Sequence, residues 1–193
     1  MSTPENPEPL PFNESAFDAF PLLETQRLVL RQVEESDEQA ILNLFSDEIM
    51  VTWTGKEVFR TLPEARSWIS KLQDLYANRE GFAWILELKD TKAAIGSIAF
   101  WRLLKQHRRA EIGYHLNAAY WKRGYMQEAM EAVIRYGFQT LHLHSVEANI
   151  TPGNEASQSL LLRNGFVREG FFKENYMGVA GFLDTASFSL ITK

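Results

Sequence analysis

The stretch AYWKRGYMQEAM, Ala119 to Met130, opens a helix with no Ser, Thr, Asp or Asn at its head to accept from the first-turn N–H groups. Lys122, Arg123 and Gly124 stand there instead. Cations at this end oppose the helix dipole, and an anion resting on the bare amides would remove the conflict. Phosphate is the obvious candidate, and Gly124 would let it approach the main chain. The same residues also fit a tight strand-to-helix turn whose donors face water. A GxxxxGKS/T loop is absent, as is the glycine triplet of a dinucleotide fold.

Just upstream, RAEIGYHLN alternates as a strand, which puts Glu111, Gly113 and His115 on one side and Tyr114 on the other. Either Glu111 or His115 could act as a general base, and an unperturbed imidazole has the better-matched pKa. Equally, Glu111 reads as a charge at a strand edge and His115 as a packed or surface histidine. Downstream, Asn154 and Ser157 lie one turn apart at the head of a short helix, where Asn154 is its cap and Ser157 its third residue. The histidines at 107, 115, 142 and 144 have no metal-site spacing, and no metal is expected. The chain has no Cys, which excludes disulfides and thiolate catalysis.

The elements that must position these residues follow from periodicity. QRLVLRQV reads as a strand, and Ser36 with Gln39 as a capping box before a helix. A second helix starts near Thr61 with Pro63 in its first turn. FAWILELKD and TKAAIGSIAFWRL are strands joined by a turn at Asp90 to Lys92, and KQHRR connects to the strand that carries Glu111. From Met126, an apolar stripe through Ala129, Met130, Val133, Ile134, Gly137 and Phe138 turns one helix face to a sheet. SVEANI is a strand, TPGNEASQSLLLRNGF a helix closed by Gly165, and VREGFFKE and GFLDTASFSLI are strands. The order implies an α/β (α+β) single domain with a mixed sheet.

Of 193 residues, 45% are apolar and 23% charged, an ordinary globular composition for one domain. A net charge of −5 argues against general nucleic-acid binding, and no apolar run reaches membrane-spanning length. Residues 1–21 hold five of the seven prolines and read as an extended arm, with the domain over 22–193. The N-terminus lacks the basic and apolar regions of a secretory signal, so a cytoplasmic location is expected.

Three segments in this order resemble the GCN5-related N-acetyltransferases (GNAT), in particular the RimJ/RimL-type ribosomal-protein branch: LETQRLVLRQVEESD, AEIGYHLNAAYWKRGYMQEAM and NITPGNEASQSLLLRNGF. The resemblance covers residues 22–192. It implies a mostly antiparallel mixed sheet flanked by helices, with acyl-CoA bound where two central parallel strands splay. It places the coenzyme pyrophosphate on the N–H groups of Lys122, Arg123, Gly124, Tyr125, Met126 and Gln127, and the pantetheine arm at Asn154. The Glu111 strand would lie beside the thioester with Glu111 as the first choice of base and His115 as its competitor, Ser157 near the sulfur, and the N–H near Leu116 on the carbonyl oxygen. The family pattern, Gln or Arg followed after two residues by Gly and then by a second small residue, falls on Trp121, Gly124 and Met126. Trp121 and Met126 both depart from it; a Trp in the first place is common in this branch, whereas Met126 would narrow the loop or weaken the coenzyme's hold.

The function so implied is acetyl transfer from acetyl-CoA to a primary amine, with a protein N-terminus of the ribosomal-protein type as the leading acceptor, and the absence of Cys favours direct transfer over a thioester on the enzyme. The alternatives are a small amine (polyamine, amino acid or antibiotic), a non-catalytic acyl-CoA-binding module, or an RNA- or ribosome-docking protein using KQHRR. Acceptor specificity is expected in MVTWTGKEVF, and Asp184 is either structural or substrate-facing.

Overall fold

The computed structural model describes residues 10–49 and 53–192. The expected mixed sheet is present, with β1 (Leu23–Glu24), β2 (Leu28–Gln32), β3 (Phe82–Leu88), β4 (Ala94–Leu104), β5 (Arg109–Leu116), β6 (Ser145–Ile150), β7 (Val167–Gly178) and β8 (Gly181–Ile191). Their spatial order is β1-β2-β3-β4-β5-β6-β8-β7, antiparallel throughout except for the central β5–β6 pair. The helices are α1 (Glu38–Phe45), α2 (Leu62–Ala77), α3 (Tyr125–Gln139) and α4 (Glu155–Arg163). The two-residue β1 has too little pattern to be read from sequence.

Both faces of the sheet are covered, which is why β3 reads as an almost unbroken apolar run. Phe82, Trp84 and Leu86 face the main core beneath α3 and α4, whereas Ile85 faces a smaller core with Ile41, Leu44 and Phe45 of α1 and Ala65 and Ile69 of α2. The α3 stripe is as periodicity requires, with Met126, Ala129, Met130 and Val133 buried against the sheet.

Two expectations change. The capping box ahead of α1 is formed by Glu34 and Asp37 around a short 3-10 turn, not by Ser36 and Gln39. Arg31 of β2 donates to both Asp37 oxygens at 2.7 and 2.8 Å, and the Glu34 N–H donates to the same carboxylate at 2.8 Å. A buried bidentate ion pair holds its geometry better than an exposed serine hydroxyl, so Asp37 takes the cap. The second change concerns the N-terminal arm. Residues 1–9 lie outside the described part, but Phe12 and Phe17 are buried in the main core. Asn13 closes onto the C-terminal end of α3, its side chain donating to the Thr140 carbonyl at 2.9 Å. Packing against the domain thus begins near Phe12, ahead of residue 22.

Candidate active site

The parallel pairing of β5 with β6 lasts only from Arg109–Ser145 to Glu111–Glu147. Beyond it, β5 continues along β4 to Leu116 and β6 along β8 to Ile150, so the two central strands part. Backbone groups of Ile112 to Leu116 that face the gap have no ladder across it, and an extended ligand can use them.

Glu111 stands at the apex of this opening and is 7% exposed. The side-chain amide of Asn149, from β6, donates to it at 3.1 Å, and Arg102 of β4 lies 3.0 Å from it and 3.6 Å from Glu147. Arg102 reaches that position because β4 carries a bulge between Phe100 and Arg102, which puts Arg102 opposite Glu111. Burial raises the Glu111 pKa; donation from Asn149 and the charge of Arg102 pull the other way, and the net shift is upward. His115 points to the same side, as alternation predicts, and packs edge-on against Phe45 at 4.8 Å. Burial, aided by the charge of Lys56, pushes its pKa down to about 4.

At the far end of β5 the chain turns through a 3-10 segment capped by Asn117, and the Trp121 indole donates to the Leu116 carbonyl at 2.7 Å. Lys122 and Gly124 both adopt positive φ, +58° and +79°. Gly124 is the N-cap of α3, and no side chain caps that helix. A Cβ built on Gly124 meets only the Arg27 guanidinium within 4 Å, at 3.4 Å, so the loop's outer surface is open. Lys122 and Arg123 are exposed beside it. Met126, one of the two departures from the family pattern, turns inward and is 7% exposed within the core, so its side chain does not obstruct the loop. Tyr125 stacks under Arg27, whose guanidinium carbon is 4.3 Å from the ring centre. Arg27 also donates to the Arg123 carbonyl at 2.9 Å and to Glu128 at 2.7 Å. Gln127 exchanges amide hydrogen bonds with Asn164, both at 3.1 Å, tying α3 to the end of α4. A shallow cavity of about 430 Å³ runs from Gly124 past Gln127 to Thr25 and Arg135.

On the other side of the opening, the Asn154 side chain accepts from the Ser157 N–H at 3.1 Å and so caps α4. The Ser157 hydroxyl is 2.5 Å from the Tyr114 hydroxyl, and Ser157 is 8% exposed.

Several other readings resolve. KQHRR is spent internally: Lys105 pairs with Glu14 at 2.9 Å, Arg108 donates to the Leu10 carbonyl, and Arg109 pairs with Glu147. Asp184 accepts from the Glu174 N–H at 2.8 Å across a bulge of β7. Residues 50–52 of the expected acceptor loop lie outside the described part. The rest is anchored at two places: just past β6, Thr151 donates to the Trp53 carbonyl at 2.8 Å, and in the β7–β8 turn the Val179 N–H donates to the Gly55 carbonyl at 3.0 Å. No group of three or more potential metal ligands occurs among the described residues. No helix among them is long and apolar enough to cross a membrane.

Sequence reasoning overlooked Arg27, Arg102, Glu147 and Asn149. A signal existed for the last two, since Val146 and Ala148 take the core face of β6 and leave Glu147 and Asn149 opposite. Arg27 and Arg102 left none, because their roles rest on pairing across distant strands.

A family model described as Acetyltransferase (GNAT) domain matches residues 27–167. The uncharacterised N-acetyltransferase YoaA of Bacillus subtilis is 39% identical over 173 residues, 89% of this chain and 97% of the relative. The ribosomal protein uS5-alanine N-acetyltransferase of Escherichia coli is 28% identical over 157 residues, 79% of this chain and 81% of the relative. Among solved structures, RimL, a ribosomal alpha-N-protein acetyltransferase in complex with coenzyme A, shares the fold. Its TM-score is 0.78 at 18% identity, over 89% of this chain and 98% of that one.

Proposed function

The chain belongs to the GNAT family and is an N-acetyltransferase, and from that premise we propose that it acetylates the α-amine of a protein N-terminus by direct transfer from acetyl-CoA. The observation that carries the reading is the end of β5–β6 pairing at Glu111. It sets a buried carboxylate at one end of an opening whose other end is the uncapped start of α3.

Acetyl-CoA supplies the activated acetyl group. The N–H groups from Lys122 to Gln127 hold its diphosphate, with Lys122 and Arg123 adding positive charge and Arg27 bracing the loop from behind. Asn154 meets the pantetheine arm, and main-chain N–H groups toward Leu116 hold the thioester oxygen. Glu111 takes the proton from the acceptor ammonium, freeing the nitrogen lone pair to attack the carbonyl carbon. The carbon–sulfur bond then breaks, its electron pair leaves on sulfur, and the nitrogen's second proton passes to solvent water, which leaves a neutral amide. Glu111 is a better base than His115 here because burial moves the two in opposite directions. The carboxylate is lifted above its ordinary value, while the imidazole at about 4 loses the advantage of its ordinary pKa.

A protein acceptor is supported by the rim. Trp53 and Trp101 are 39% and 47% exposed, and an added Cβ on Gly113, two residues from Glu111, would lie 3.3 Å from the Trp101 ring. Such aromatic surface fits a peptide laid across the opening better than a lone polyamine. The acceptor of the uS5-alanine relative agrees in kind.

Thiol release with a panel of N-terminal peptides and small amines tests the acceptor. Peptides beginning with small residues should gain one acetyl group at the α-amine by mass spectrometry, and turnover with small amines alone would overturn the protein reading. Glu111→Gln should lower kcat by roughly 10²–10⁴, the usual range for a general base, with coenzyme affinity near wild type. Because the folded pKa of Glu111 is raised, kcat/KM should fall on the acid side with a midpoint above the ordinary carboxylate value, and Glu111→Gln should lose that limb.

A further inference from the structure

We propose that Tyr114 is a positioning residue for acetyl transfer: its hydroxyl donates to Ser157, which aims the serine's own proton at the departing sulfur, and the sulfur leaves as a hydrogen-bonded thiolate. The inference rests on the acetyl-CoA reading above and concerns the leaving-group side of that same site.

Placement comes first. Glu111 and Tyr114 lie on opposite faces of β5, and Tyr114 is beyond the last residue paired with β6. The Tyr114–Ser157 contact therefore spans from β5 to α4 across the opening. A ligand with its diphosphate at Gly124 and its acyl carbon near Glu111 must run in the plane of the sheet between these points. It then passes with the carboxylate on one face and the hydroxyl pair on the other.

The direction of the hydrogen bond follows from what each group has left to do. The Ser157 N–H is already taken by Asn154, and the serine hydroxyl has only Tyr114 as a partner among the described residues. A hydroxyl carries one proton and two lone pairs. If serine donated to tyrosine, the phenol proton would be left in the apolar interior, where Tyr114 has no second hydrogen-bond partner among the described residues. With the phenol donating, the serine proton is free to point into the opening.

The chain of hydroxyls aims a proton but does not give it up. Burial pushes the Tyr114 pKa up to about 12, with the hydrogen bond shared with Ser157 pulling the other way. A thiol ordinarily titrates near ~8.5, so passing the phenol proton to a thiolate is uphill by roughly a thousandfold or more. The pair thus stabilises negative charge on sulfur as fixed donors do at an oxyanion. Glu111 keeps the proton taken from the ammonium, and the nitrogen's second proton passes to solvent water as the tetrahedral intermediate collapses. The bond electrons stay on sulfur, and water protonates the thiolate after release.

The test reads the thiol of bound coenzyme A, without turnover, by the ultraviolet absorbance of its thiolate as pH is raised. In the wild type, the bound thiol should titrate about one pH unit below free coenzyme A, a tenfold stabilisation of the anion. Tyr114→Phe keeps the ring packing and should lose most of that shift, with calorimetric affinity at neutral pH nearly unchanged. Ser157→Ala should do the same, and the double variant should lose no more than either single one, as partners in one network do. Equal thiol pKa in wild type and Tyr114→Phe, or additive losses, would overturn the proposal. Should Tyr114→Phe fail to fold, the wild-type shift and Ser157→Ala still decide, because an unshifted thiol in the wild type refutes it. Failure of the wild type to bind coenzyme A at all would instead remove the acetyl-CoA reading, and this inference with it.

Discussion

Helix α2 begins with its free N–H groups answered by its own side chains, and helix α3 begins with them unanswered. At α2, Thr61 and Glu64 form a reciprocal capping box, with the Thr61 N–H 2.8 Å and the Arg60 N–H 2.9 Å from the Glu64 carboxylate. At α3, the cap is a glycine in the left-handed region, with Arg27, Lys122 and Arg123 around it. Forgoing a cap costs about 1 kcal/mol, whereas burying each large side chain of the α3 stripe gains about 1.5–3 kcal/mol. The helix is held by its face against the sheet, which leaves its end available to a ligand. A helix start that is costly to leave bare, on an element otherwise well secured, is a functional signal of a kind that α2 does not carry.

The comparison is broken most severely at Gly124. Gly124→Asp would place a carboxylate on the vacant donors, and coenzyme A affinity should fall about 100-fold, the worth of one or two hydrogen bonds to a charged group. The fold should survive, with a melting temperature changed by only about 2–4 °C. Titration calorimetry and a thermal melt on one preparation check both halves, and an unchanged affinity would mean that the diphosphate rests elsewhere. Asn154→Ala probes the intermediate case, since α4 is capped by a residue that also faces the opening. The loss should appear in both measurements, about 1 kcal/mol of stability and roughly tenfold in coenzyme affinity. The smallest effect belongs to Thr61→Ala. About 1 kcal/mol, or roughly 2–4 °C, should go from the melting temperature with coenzyme affinity untouched. An affinity change there would show that the two helix starts are coupled and that the contrast between them is not local.

Much of the architecture was legible because it rests on local rules. The α3 stripe, the Thr61 box and the alternation of β5 each lie within one element and obey its period. The Gly124 loop stood out for the same reason, as a local rule left unfulfilled. The Ser36–Gln39 box failed because Arg31, on another strand, drew Asp37 into the cap. The placing of Phe12 and Phe17 in the core was hidden by their proline-rich surroundings, which look like an arm until the groove that receives them exists.

By itself, the sequence determined the order of strands and helices, the side of β5 on which Glu111 lies and the bare start of α3, because each depends on neighbours within a turn or a pleat. Tertiary structure alone decided where β5 and β6 part, that a bulge in β4 brings Arg102 to Glu111, that Arg27 reaches a loop nearly a hundred residues away, and that Tyr114 meets Ser157. Those facts are set by strand register and by the packing of a helix against a distant strand. Register between segments far apart in the chain is chosen by the whole core at once, so no short stretch encodes it.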